Sequence, residues 1–151
     1  MIYNQPQVNF FKFMYEKFGQ FIDGKWQPSE KKETYEVINP ANEEIIGQAS
    51  KATSVDVEKA LKSAEKGLEV WKKTPPWQRS YIIRRIADKM REKQDVLAKW
   101  MTLEVGKPFA EAKGEVGGAA DIFEWNAEET KRIYGQTVES RFADTRVHVY
   151  Y

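Results

Sequence analysis

The stretch Thr53-Ser-Val-Asp-Val-Glu-Lys-Ala-Leu-Lys-Ser-Ala-Glu-Lys-Gly-Leu-Glu-Val-Trp71 decides the fold class, because it changes the period of the chain from strand-like to helical. Thr53 and Asp56 stand three apart as in a capping box, and Val57, Ala60, Leu61, Ala64, Leu68 and Trp71 then recur at three- and four-residue spacing on one face. Thr74-Pro75-Pro76 stops this helix and starts a second, since proline suits a first helical turn and restricts the residue before it. Trp77, Tyr81, Ile82, Ile86 and Met90 predict the buried stripe of the second helix, surrounded by Arg79, Arg84, Arg85, Lys89 and Arg91. Asp88, Glu92 and Asp95 sit among those charges, so the basic face reads as solvated rather than as a phosphate site. Leu97, Trp100, Met101 and Glu104 mark a third helix ended by Gly106 and Pro108. A fourth is expected over residues 109–134, with Gly135 as its stop. Gly114, Gly117 and Gly118 inside it predict a close approach by another element or a ligand passage, because interior glycines cost about 1 kcal/mol each relative to alanine.

Upstream of Thr53 the pattern is β-like. Phe21-Ile22, Asp23-Gly24 and Lys25-Trp26 read as a hairpin, and Tyr35 to Ile38, Asn39-Pro40-Ala41-Asn42 and Ile45-Ile46 as a second. Residues 8–18 place Val8, Phe11, Tyr15 and Phe18 on one face of an amphipathic helix that could dock on a domain, a subunit or a membrane surface. Downstream, Arg146 to Tyr151 alternates as a terminal strand, expected to pair with the early hairpins, with another chain, or within something longer. The class is α+β: N-terminal helix and hairpins, about four helices, and a terminal strand.

Composition narrows the chemistry. With 24 Lys+Arg against 23 Asp+Glu the net charge is +1, which gives no pull toward nucleic acid. No cysteine and one histidine leave almost nothing for a thiolate, a zinc site or a Ser-His-Asp triad. Neither GxGxxG nor GxxxxGK[ST] occurs, His148 stands alone, and Glu111, Glu115 and Glu124 lack an electrophile or metal partner. There is no secretory signal and no run approaching about 18 apolar residues, so a cytoplasmic location is expected and a membrane partner is not.

Six motifs in order carry a family resemblance: Phe21-Ile-Asp-Gly-Lys-Trp26, Val37-Ile-Asn-Pro-Ala41 with Ile46-Gly47, Arg84-Arg-Ile-Ala-Asp88, Met101-Thr-Leu-Glu-Val-Gly-Lys-Pro108, Ala110-Glu-Ala-Lys-Gly-Glu115 and Glu124-Trp-Asn-Ala-Glu-Glu-Thr-Lys-Arg-Ile-Tyr-Gly135. The chain resembles the amino-terminal third of an NAD(P)-dependent aldehyde dehydrogenase, most similar to the succinate-semialdehyde branch. Residues 1–18 then read as an extension, and 19–151 as an incomplete N-terminal segment. The resemblance implies a parent that uses NAD or NADP, a homo-oligomer, and a cysteine thiolate that attacks the aldehyde, after which a hydride passes to the nicotinamide and a glutamate helps water hydrolyse the resulting thioester. It also implies that nucleophile, cofactor contacts and general base follow later in the family sequence than Tyr151. The isolated chain is therefore expected to be inactive, without cofactor of its own, and to meet aldehyde only within a complete enzyme. The family helix matching residues 109–134 borders the substrate entrance, which puts Gly118, Ile122 and Trp125 near its mouth; Asn126 stands where close relatives have an aromatic. Val37, by its carbonyl, and Glu104 match positions that hold a structural monovalent cation in some relatives. The rival reading is a non-catalytic assembly or binding module; a third, anchorage on a membrane surface, would use Phe10, Phe11 and Phe18.

Overall fold

The computed structural model describes residues 19–151; the aromatic stripe over residues 8–18 lies outside the described residues. Three separate antiparallel hairpins flank a four-helix block. In the first, β1 (Gln20–Ile22) pairs with β2 (Lys25–Gln27), bringing Phe21 opposite Trp26 with ring centroids 5.2 Å apart. Asp23 at φ 55° and Gly24 at φ 74° make the two-residue turn whose twist matches that of the strands. In the second, β3 (Thr34–Ile38) pairs with β4 (Ile45–Ser50), with a register shift at Val37/Ile38. Asn39 Oδ1 accepts from the Ala41 amide at 3.0 Å, and Asn42 Oδ1 accepts from that of Glu44 at 3.2 Å, so the asparagines build this turn.

Helix α1 (Ser54–Lys73) opens on the expected capping box: the Thr53 hydroxyl accepts from the Asp56 amide and Asp56 Oδ2 accepts from the Thr53 amide. The same carboxylate accepts from the Glu30 amide at 3.1 and 3.2 Å, which staples the helix start to the loop between hairpins. Helix α2 (Pro76–Glu92) has proline in its first turn, and α3 (Gln94–Val105) ends at Gly106, whose φ of 76° is left-handed. A Cβ at Gly106 would lie 3.0 Å from Pro40 Cγ, so glycine also lets the end of α3 meet the second hairpin. Helix α4 (Phe109–Glu129) stops before the expected Tyr134: Thr130–Arg132 form a 3₁₀ turn. There the Thr130 hydroxyl donates to the Ala127 carbonyl at 2.8 Å and lies 3.3 Å from that of Pro76.

Among the described residues the buried apolar set is Ile46, Ala87, Ala98, Ala112, Val116, Ala120 and Ala127. Alanine keeps helix axes close, so α4 packs against both α2 and α3 along a small-residue seam. The large side chains go elsewhere. The stripe predicted on α2 is periodic but not buried: Trp77 is 73% exposed, and Tyr81, Ile82 and Ile86 are exposed too. On α1, Leu61 is 54% exposed and Val57, Leu68 and Trp71 likewise face out. The reason is the absence of a second layer over these faces among the described residues.

Two further expectations need correction. The terminal strand, β6 (Arg146–Val149), pairs with the segment just before it, β5 (Gln136–Glu139), rather than with the early hairpins. The Ser140–Thr145 stretch is enough for a local reversal, and a local hairpin has the smallest loop-closure cost. The close approach predicted at the α4 glycines holds only at Gly117, where a Cβ would sit 3.2 Å from Gln94 Nε2; at Gly114 and Gly118 it would meet nothing within 4 Å.

Candidate functional site

Gly118, Ile122 and Trp125 fall one turn apart along α4 on its open side. Ile122 is 65% and Trp125 70% exposed, so they form an apolar strip at the surface. The neighbouring Asn126 turns its amide back onto the helix, donating to the Ile122 carbonyl at 2.8 Å. This strip can contact an apolar molecule or cover; it carries no acid, base or nucleophile.

The flank of α4 beside this strip is fixed by charge. Arg84 donates to Glu124 at 2.5 Å and to Glu128, and Arg91 donates to Asp121 at 2.7 Å and Glu124 at 2.6 Å. Hydrogen bonds from Lys131 and then Arg84 hold the Glu128 carboxyl below the usual carboxylate range, and bonds to Asp121 and Glu124 hold the Arg91 guanidinium above its ordinary value. Part of the basic face read as solvated is therefore an interhelical clasp. Arg84 and Arg91 stand seven residues apart, and Asp121, Glu124 and Glu128 repeat at three and four; this complementary spacing was the signal that sequence reasoning passed over. Glu124 is occupied by two arginines and Glu115 by Lys107, so neither is a poised acid or base. His148 Nδ1 lies 3.1 Å from the Thr137 hydroxyl across the β5–β6 pair, at the surface.

The segments carrying Val37 and Glu104 meet where Gly106 abuts Pro40. Val37 is half-buried, and burial pushes the Glu104 carboxyl above the ordinary carboxylate value. Among the described residues no group of three or more His, Asp or Glu side chains could hold a metal ion. Among the described residues no helix is long and apolar enough to cross a membrane.

Among the described residues no helix follows a strand through a glycine turn. A pyrophosphate needs free amides at a helix N-terminus behind a tight glycine turn. The Asp56 carboxylate already occupies the start of α1, and prolines stand at the entries to α2 and α4. No step of nicotinamide chemistry is assigned to the described residues.

Comparison with known proteins supplies the family of this fold. The profile of the aldehyde dehydrogenase family matches residues 26–151. The chain is 43% identical over 129 residues to glutarate-semialdehyde dehydrogenase of Pseudomonas aeruginosa and 42% identical over 128 residues to succinate-semialdehyde dehydrogenase [NADP(+)] of Escherichia coli. Each alignment covers 85% of this chain and 27% of the relative, so the chain spans about a quarter of their length. An NADP-dependent enzyme of E. coli superposes with a TM-score of 0.82 at 38% identity, over 96% of this chain and 29% of that one. Betaine aldehyde dehydrogenase of Staphylococcus aureus, solved with NAD+, gives 0.80 at 32% identity, over 86% and 27%. Six short motifs, a helical layer with flanking hairpins, and a profile match across most of the sequence converge: the chain belongs to the aldehyde dehydrogenase family.

Proposed function

We propose that these residues act as the N-terminal helical layer of an NAD(P)-dependent aldehyde dehydrogenase whose complete form oxidises a small semialdehyde bearing a distal carboxylate, succinate or glutarate semialdehyde, to the acid. The observation that carries this reading is the collinear match to semialdehyde dehydrogenases over 85% of the chain but only 27% of their length. The apolar faces of α1 and α2 and the strip around Trp125 are the surfaces that the rest of such an enzyme would cover. Within this reading Gly118, Ile122 and Trp125 rim the substrate entrance, and the Val37 carbonyl with the Glu104 carboxylate takes a structural monovalent cation. Aldehyde, water and NAD(P)+ become acid, NAD(P)H and a proton, so bound NAD(P) supplies the hydride acceptor. These 151 residues hold no cysteine, hence a thiolate nucleophile belongs to other residues, and this chain by itself is inactive.

The test has two arms. The 151-residue chain is assayed for aldehyde-dependent NADH or NADPH formation, and a chimaera is made in which residues 26–151 replace the matching segment of the E. coli succinate-semialdehyde dehydrogenase. No turnover by the chain and oxidation of succinate or glutarate semialdehyde by the chimaera are expected. Turnover by the chain alone overturns the inactivity, and a folded chimaera without semialdehyde activity overturns the assignment.

The same exposed faces favour a second reading, a non-catalytic module that assembles through them. Sedimentation equilibrium separates the two, since a cooperatively folding monomer is incompatible with the module.

A further inference from the structure

Between the β1–β2 hairpin and α1 lies a cleft of about 290 Å³ whose walls include Lys59, Lys62, Ser63 and Lys66 from the helix and Asp23 and Gln27 from the hairpin. Positions 59, 62 and 66 follow a three-then-four spacing, which brings three ammonium groups to one face. Glu58, Glu65 and Glu69 are within pairing reach along the same helix. Even so, among the described residues none of the three lysines forms an ion pair, and Glu69 is bound to Lys72 at 3.0 Å instead. On α2 the pattern is the reverse, with Arg84, Lys89 and Arg91 each joined to a carboxylate.

The acidic group in the cleft is Asp23, whose Oδ1 accepts from the Ser63 hydroxyl at 3.4 Å. Three positive charges against one negative leave the lining at +2. The hairpin wall is fixed in shape, because both turn residues, Asp23 and Gly24, sit at positive φ and the Gln27 amide bonds the Ile22 carbonyl at 3.4 Å. From this arrangement we infer that the cleft binds a compact dianion, of the phosphate or short dicarboxylate class, with the three lysines supplying charge and ammonium donors. This site is separate from the α4 strip and does not depend on the catalytic reading above.

The experiment follows backbone amide shifts of the isotopically labelled 151-residue chain at low ionic strength, titrated with inorganic phosphate and, in a second arm, with glutarate. Saturable shifts confined to the hairpin turn and residues 59–66 are expected, and which arm saturates identifies the anion. Lys59→Gln/Lys62→Gln/Lys66→Gln weakens binding at least about tenfold, whereas Lys31→Gln/Lys32→Gln/Lys99→Gln, with the same change in net charge, leaves it within about twofold. Asp23→Asn keeps a residue tolerant of positive φ, removes the one repulsive charge and tightens binding about threefold. Absence of saturable shifts in both arms, or equal weakening in the two triple variants, overturns the site. Should the first triple variant fail to fold, Asp23→Asn decides alone, and unchanged or weaker binding there overturns it.

Discussion

Helices α1 and α2 both leave their stripes of large apolar side chains open, yet α2 also packs against α4 through small residues on another face. Ala87, Ala120 and Ala127 are fully buried where α2 and α4 meet, and the Arg84–Glu124–Arg91 clasp closes over the pair. Helix α1 meets the rest of the described chain through β1 and the Asp56 staple, and its leucines stay in solvent. The difference teaches that period alone says which residues share a face, while side-chain size says whether a neighbouring helix can approach that face. Small residues make the internal seam; large ones point to a layer supplied from outside it.

This contrast can be broken most directly by overpacking. Ala120→Leu should lower the unfolding free energy by about 1–3 kcal/mol in urea titrations, whereas Leu61→Ala should change it by less than about 0.5 kcal/mol. Equal costs would erase the distinction between the two helices. In the chimaera proposed above Leu61→Ala should instead cost about 2–5 kcal/mol, as for a buried leucine.

The capping box gives the next effect. Thr53→Ala removes the hydroxyl that accepts the Asp56 amide and should cost about 1 kcal/mol, read as a lower thermal midpoint. Arg84→Gln should cost at most about 1 kcal/mol, because the clasp is half open to solvent, and the difference should shrink in about 1 M salt.

The finest comparison is in acid. The Thr53 amide, outweighing the opposing burial, together with the Glu30 amide and the Thr53 hydroxyl, holds the Asp56 carboxyl below its usual value. Its contribution to stability is therefore fully present above the ordinary carboxylate range and is lost as pH falls through the lowered folded value. Glu104 behaves oppositely: burial raises its carboxyl, so its charge weighs against folding at neutral pH and that penalty is relieved as pH falls. Thermal midpoints measured across the acid range should show Asp56→Asn flattening the acid loss and Glu104→Gln raising the midpoint at neutral pH only. Identical pH profiles for both variants and the parent would contradict this opposition.

The elements themselves were legible from short-range chemistry. Asp23-Gly24 announced its hairpin through left-handed tolerance, Thr53 and Asp56 their cap, Pro75-Pro76 a helix boundary, and Gly106 a helix end. Less legible was the end of α4, since the apolar pattern through Ile133 and Tyr134 continues past the point where Thr130 bonds back to Ala127 and the helix tightens. The partner of β6 was missed because Gln136–Glu139 is short and wholly exposed, with no alternation to announce a strand. For the candidate site, Gly118, Ile122 and Trp125 were chosen through the family resemblance, and helical spacing added only that they share a face. The carboxylates flanking them on α4 read as solvated because their arginine partners lie about thirty to forty residues away in sequence.

Sequence by itself determined the hairpin turns, the helix boundaries, the family motifs and the lack of a thiolate in these residues, since each depends on backbone preferences or composition within a few positions. Tertiary structure decided which stripe became a seam and which stayed open, that two arginines would be spent on clasping α4, and that Lys59, Lys62 and Lys66 would face a hairpin across a cleft. Those outcomes depend on how closely one element can approach another, a property of packed volumes and paired charges rather than of any single segment.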